Sequence, residues 1–179
     1  MKPTKKDLIQ FLMPPLKPML VAVIWIGLGI ACRELQGMIL VGILLAALSV
    51  LPTVKQIAAI YGKVGALEKE GLLEDALEDF FVADSHINDY VRLGDTYIFG
   101  RELGSIVRYD EIRKTWQRAR SRNFTESSRF LRAELKNGRV CDLTKLPTMG
   151  KGDEQLEKIL NKIGSVNPKA RLETEVKKK

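Results

Sequence analysis

One stretch of the chain limits its possible folds more than any other. Between Pro18 and Val54 the only charged residues are Arg33 and Glu34, whereas the sequence from Lys55 onward is highly charged. Two apolar runs result, residues 18–32 and 37–54. As α-helices they would be about 22 and 27 Å long, close to the roughly 30 Å hydrocarbon core of a bilayer. We therefore predict that residues 1–54 form an N-terminal interfacial segment followed by a two-helix transmembrane hairpin.

Lysine and arginine residues around these runs predict the orientation of the hairpin. Arg33 is the only one in the predicted turn, and the others flank the hairpin at Lys2, Lys5, Lys6, Lys17, Lys55 and Lys63. Because positively charged loops stay on the cytoplasmic side, both termini are expected in the cytoplasm of a multi-pass cell-membrane protein.

A processing signal is the alternative interpretation of the first apolar run. The residues Gly29-Ile-Ala-Cys32 resemble a bacterial lipoprotein cleavage box, and the basic start of the chain fits a signal peptide. Gly29 stands where such a box usually has leucine, and the second apolar run would remain unexplained. The uncleaved hairpin is therefore the favoured interpretation.

Residues 55–84 have the apolar periodicity of an amphipathic connecting helix. Residues 63–90 contain two basic and eight acidic residues. We interpret the acidic face as a solvated surface, as a docking surface for a partner or as a surface for self-association. Its candidate residues are Glu70, Glu74, Asp75, Glu78 and Asp79.

From residue 85 to 168 the pattern changes to short alternating segments typical of antiparallel strands. The strongest local signal is Asn137-Gly138, which predicts a two-residue hairpin turn, and residues 112–122 are predicted to form an exposed strand. A helix is expected from Asp153 to Ile163, and residues 169–179 are expected to be a disordered basic tail. The fold class is therefore α+β.

The sequence contains three short motifs, Arg92-Leu-Gly-Asp-Thr-Tyr-Ile-Phe99, Ile106-Val-Arg-Tyr-Asp-Glu-Ile112 and Leu135-Lys-Asn-Gly-Arg139. Together they resemble bacterial two-span membrane proteins that carry a pleckstrin-homology-like (PH-like) domain. The resemblance covers residues 72–168. It implies an antiparallel β-sandwich or split barrel closed by a C-terminal helix, which acts by binding and has no catalytic residues.

The predicted strand 112–122 contains the most distinctive charge pattern. Residues 91–145 hold thirteen basic and seven acidic residues. The basic set is Arg113, Lys114, Arg118, Arg120 and Arg122, joined by Arg129 and Arg132, and one face of the strand would carry Lys114, Trp116, Arg118, Arg120 and Arg122. This pattern fits a solvated strand, a contact with anionic lipid headgroups, or a contact with a protein partner or another copy of the chain. Nucleic acid is not expected, because Trp116 alone is little support for base stacking.

The sequence contains no arrangement of residues that indicates catalysis. His86 is the only histidine, no cysteine spacing suggests a metal site, and no glycine-rich loop suggests a phosphate site. We therefore expect no enzyme, metal or cofactor. The predicted function is a membrane-tethered binding or scaffolding module, and the alternative is an accessory subunit of a transport or secretion complex that uses the hairpin as its interface.

Overall fold

The structure, a computed structural model, describes residues 4–14, 17–31, 36–88, 90–101, 103–122, 125–147 and 152–178. The helices are α1 (Lys5–Leu12), α2 (Lys17–Ala31), α3 (Gln36–Lys69), α4 (Leu73–Val82) and α5 (Gly152–Val166). The strands are β1 (Asp84–Asn88), β2 (Val91–Leu93), β3 (Tyr97–Gly100), β4 (Ser105–Arg108), β5 (Ile112–Arg122), β6 (Thr125–Leu135), β7 (Val140–Leu146) and β8 (Arg171–Lys178). The architecture is α+β with two sheets.

Helix α1 begins with a capping box. The Thr4 hydroxyl accepts a hydrogen bond from the Asp7 backbone N–H, and the Asp7 carboxylate accepts one from the Thr4 backbone N–H. Its apolar residues Leu8 and Leu12 are fully buried in a cluster with residues of α3 and α4. The segment predicted to lie at a membrane interface therefore packs its apolar face against other helices of the protein.

Apolar runs in the N-terminal third do form helices, but not the membrane spans that we predicted. In the part of the chain that the structure describes, no helix combines the length and the apolar character needed to cross a membrane. Helix α2 has 15 residues, and the second apolar run is only the first part of the 34-residue α3, which continues through charged sequence to Lys69. The predictions of a transmembrane hairpin and of a multi-pass membrane location are therefore wrong.

Because α3 is one unbroken helix, the predicted connecting helix of residues 55–84 does not begin at residue 55. The boundary expected between residues 54 and 55 lies inside α3, and the break comes instead at Gly71, whose φ of 73° a side chain would disfavour. Helices α2 and α3 pack against each other and leave large apolar side chains exposed, among them Leu20, Ile24, Ile30, Leu40 and Leu44.

The first sheet is antiparallel in the order β1-β2-β3-β4. One face of it packs on the helices, where Tyr97 and Phe99 join Ile60 and Val64 of α3 and Phe80 of α4. The other face contributes Val91, Leu93, Ile98 and Val107 to the main core, which it shares with the second sheet and α5. The first sheet therefore lies between the helical part and the main core.

The second sheet has the order β7-β6-β5-β8, with β5, β6 and β7 antiparallel. Strand β5 has the bounds predicted from the sequence, and Gly138 lies in the predicted turn with a φ of 78°. Residues 171–178, which we expected to be disordered, form β8 and pair in parallel with β5. Helix α5 packs its face of Leu156, Ile159, Leu160 and Ile163 into the main core and runs past the expected stop at Gly164.

Candidate functional site

Alternation along β5 separates two sets of side chains. Thr115, Gln117 and Ala119 are buried on the inner face of the sheet, whereas Lys114, Trp116 and Arg118 are partly exposed on the opposite side. Strand pairing places Glu134, Arg132 and Phe130 of β6 beside these three residues. We call this surface the outer face. Its described side chains are Lys114, Trp116, Arg118, Phe130, Arg132, Glu134, Val140, Asp142, Lys145, Arg171 and Glu173.

Among its described side chains the outer face has five basic and three acidic residues, and most of these cations have acidic partners. Lys114 lies 2.7 Å from Glu173, and Arg132 pairs with Asp142. Within the described ranges, Arg118 has no ion pair. The surface therefore has a modest positive excess rather than a continuous basic patch.

Two residues of the predicted basic set can be placed only by their backbone. Arg120 and Arg122 belong to β5, where they pair with Ser128 and Thr125. Their side chains lie outside the described part of the structure. Their predicted contribution to an anion-binding surface therefore stays a prediction.

Asp79, one of the five residues of the predicted acidic docking face, is directed into the protein. It is 8% exposed, and its carboxylate accepts hydrogen bonds from the backbone N–H groups of Asp95, Thr96 and Tyr97 at 2.6–3.2 Å. This carboxylate caps the turn between β2 and β3 and is unavailable to a partner.

The other four acidic residues are exposed, but they lie on two different elements. Glu70 lies in the turn after α3, whereas Glu74, Asp75 and Glu78 lie on α4. A docking role for these four stays a prediction.

Arg129, a member of the predicted basic set, does not lie on the outer face. Strand β6 pairs Arg129 with Ala119 and directs it to the inner face, where its side chain is only 14% exposed. Its Nε donates to Gln117 Oε1 at 2.5 Å, and its Nη2 donates to Asp153 Oδ1 at 2.5 Å. One sequence signal could have indicated the contact between Arg129 and Gln117. Polar residues, Gln117 among them, occupy the alternate positions of β5 that lie opposite to Lys114, Trp116 and Arg118.

Lys63 and Cys141 form a second polar feature that the sequence did not suggest. Lys63 Nζ donates to the carbonyl oxygen of Gly104 at 2.7 Å, and burial lowers the pKa of this lysine. Burial raises the pKa of the Cys141 thiol, while the positive charge of Lys63 acts in the opposite direction. Among the described residues no group of His, Cys, Asp and Glu side chains could hold a metal ion.

Comparison with known proteins adds no assignment to this geometry. No protein-family model matches the chain, and no curated protein is significantly similar to it. The resemblance to PH-like proteins therefore stays an expectation from short motifs, and any function must be argued from the residues themselves.

Proposed function

We propose that the chain is a non-enzymatic binding module whose outer face binds anionic phospholipid headgroups. The observation that supports this proposal is the alternation of β5, which places Lys114, Trp116 and Arg118 together on a partly exposed sheet face. Basic residues interact favourably with an anionic leaflet, and tryptophan favours the interfacial region of a bilayer.

The expected strength of this interaction is modest. Each lysine or arginine near an anionic bilayer contributes about 1 kcal/mol, and the described side chains of the outer face have an excess of two basic residues. The resulting preference of about 2 kcal/mol corresponds to roughly 30-fold tighter binding to anionic than to neutral vesicles at low salt. Because the interaction is electrostatic, salt should weaken it.

Sedimentation of the full chain with vesicles tests the proposal. The vesicles contain either phosphatidylcholine alone or phosphatidylcholine mixed with phosphatidylserine. Apolar side chains exposed on α2 and α3 can adsorb to any bilayer, so the informative quantity is the difference in binding between the two vesicle types. Wild-type protein should sediment preferentially with the anionic vesicles.

A charge-matched pair of variants shows whether the outer face is responsible. Lys114→Glu with Arg118→Glu should remove the preference for anionic vesicles. Lys6→Glu with Lys158→Glu changes the net charge equally at exposed positions on α1 and α5 and should retain most of it. Equal losses in the two double variants, with circular dichroism showing both folded, would contradict the proposal.

The exposed apolar side chains of α2 and α3 favour a second candidate function, in which the chain is a subunit of a homo-oligomer. Leu20 and Ile24 of α2 are 63% and 59% exposed, and Leu40 and Leu44 of α3 are 72% and 60% exposed. A second copy presents the same apolar surface, so contact between the α2 and α3 helices of two copies would remove matching apolar areas from water. Light scattering should give a mass above that of the monomer, and Ile24→Glu with Leu40→Glu should lower it. A monomeric wild type at all concentrations excludes this function.

A further inference from the structure

A cavity of about 570 Å³ lies on the inner side of the second sheet, away from the outer face. It is bounded by the sheet, by the first half of α5 and by β8. Its volume is within the range of about 300–1,000 Å³ that is typical of small-molecule sites. Because the cavity and the outer face lie on opposite sides of the sheet, ligand binding in the cavity can be tested independently of lipid binding.

Side chains around the cavity form an apolar wall, a largely buried polar end and an exposed polar side, the last made by Asp153, Glu157 and Asn161. Leu156 and Leu160 of α5 and Leu172 of β8 form the apolar wall. Gln117 and Arg129 form the polar end, with Gln117 only 2% exposed. Such a division fits a ligand with an apolar body and one polar head group.

Arg129 determines the chemistry of the head group. The Nε of Arg129 donates a hydrogen bond to Gln117, which orients the planar guanidinium. The Nη2 of Arg129 donates to Asp153. The guanidinium has five N–H donors, and within the described part of the chain these two bonds are the hydrogen bonds that it donates. Donors are therefore left for an acceptor, and a planar carboxylate matches the geometry of the guanidinium best.

Asp153 does not prevent this interaction, because its side chain is 78% exposed. A solvated carboxylate can exchange its bond to Arg129 for water at little cost, whereas the head group of a ligand in the cavity, which is open to solvent on one side, would be partly shielded from water. Glu157, also at the cavity, is exposed and weakens the binding of an anion only through a screened repulsion.

We propose that this cavity binds an amphipathic monocarboxylate, with the carboxylate at Arg129 and the apolar body against Leu156, Leu160 and Leu172. Hydrogen bonds between the carboxylate and a partly shielded guanidinium should make a monocarboxylate bind about ten-fold or more tighter than a neutral molecule of the same length.

Titration of the full wild-type chain with octanoate, octan-1-ol and octylamine tests the proposal without any substitution. The readout is the NMR signal of the methyl groups of the three cavity leucines, which separates the cavity from the exposed leucines of α2 and α3. Octanoate should shift these methyl signals at a concentration about ten-fold or more below that needed for octan-1-ol. Equal or tighter binding of the alcohol or the amine, or shifts confined to α2 and α3, would overturn the proposal.

Two arginine variants on β6 then identify the carboxylate partner. Arg129→Gln should abolish the preference for octanoate over octan-1-ol. Arg132→Gln removes another ion-paired arginine of β6, on the outer face, and should leave the preference unchanged. Loss of the preference in both variants would overturn the assignment to Arg129. Glu157→Gln should tighten octanoate binding by about two-fold, because it removes a screened negative charge.

Discussion

The carboxylate of Asp79 on α4 accepts a 2.8 Å hydrogen bond from the backbone N–H of Tyr97, the first residue of β3. The same carboxylate bonds the N–H groups of Asp95 and Thr96. One buried side chain of the helical part thus holds the turn that leads into the first sheet.

Replacing Asp79 with asparagine should destabilise the fold by about 2–3 kcal/mol, because the amide would direct N–H donors at backbone donors. Urea unfolding should show a lower midpoint with an unchanged slope. Glu78→Gln is the control, since Glu78 is an exposed neighbour on the same helix, and it should change stability by no more than about 0.5 kcal/mol. Equal midpoints for the two variants would show that the cap contributes little.

Gly94→Ala should destabilise the same turn by a different mechanism. A Cβ at this position would lie 2.0 Å from Asp79 Oδ2, so either the turn or the carboxylate must move, at a cost of about 2 kcal/mol or more. Gly65 in α3 has open space around it, and Gly65→Ala should stabilise the helix by about 0.5–1 kcal/mol. Thermal unfolding of the two variants should therefore shift in opposite directions, and a shift of the same sign would contradict the predicted contact.

Removal of the Thr115 hydroxyl should stabilise the fold. This residue of β5 is fully buried, and within the described residues its Oγ1 has no hydrogen-bond partner. Valine keeps the shape and removes the unsatisfied group, so Thr115→Val should stabilise the fold by about 1 kcal/mol. Thr144 on β7 is equally buried but donates to the carbonyl oxygen of Lys145, so Thr144→Val should destabilise. Chemical denaturation of both variants tests the difference, and destabilisation by both would indicate that Thr115 is satisfied in solution.

Alkylation of Cys141 should depend on pH in a predictable way. Burial raises the pKa of the thiol above its ordinary value of 9.0, so the reactive thiolate should form at higher pH than in a free cysteine. Lys63, Arg139 and Arg132 lower this pKa and Asp142 raises it, with Lys63 the strongest of the four. In a Cys32→Ser background, the midpoint of the iodoacetamide rate against pH should therefore lie above 9.0. Lys63→Met should move it higher still, and a midpoint that falls in this variant would contradict the proposed environment.

The directions of the pKa shifts of Cys141 and Lys63 predict how the stability of the fold changes with pH. Cys141, with its pKa raised, favours the fold below the pKa of a free thiol, and this contribution is lost as the pH rises through the folded value. Lys63, with its pKa lowered, disfavours the fold at neutral pH, and this cost disappears as the pH rises towards 10.5. The two effects oppose each other above pH 9, so Lys63→Met should make the loss of stability with rising pH steeper.

The bounds of β5, the turn at Gly138 and the amphipathic face of α5 were predictable from the sequence, because each depends on residues close together along the chain. Alternation at a period of two defines which side chains share a strand face, and a 3.6-residue period defines a helix face. Lys114, Trp116 and Arg118 therefore lie on a common face, as expected.

Tertiary structure decided where those faces lie and what covers them. Asp79 and Arg129 looked like surface charges along the chain. Contact of α4 with the turn before β3 buries Asp79, and pairing with Asp153 at the start of α5 leaves Arg129 largely covered. The sequence predicted helix on both sides of residue 54 but not that one unbroken helix runs from Gln36 to Lys69, where Ile60 and Val64 pack in the helical cluster. Periodicity is a local property of the sequence, whereas burial and hydrogen-bond partners depend on contacts between residues far apart along the chain.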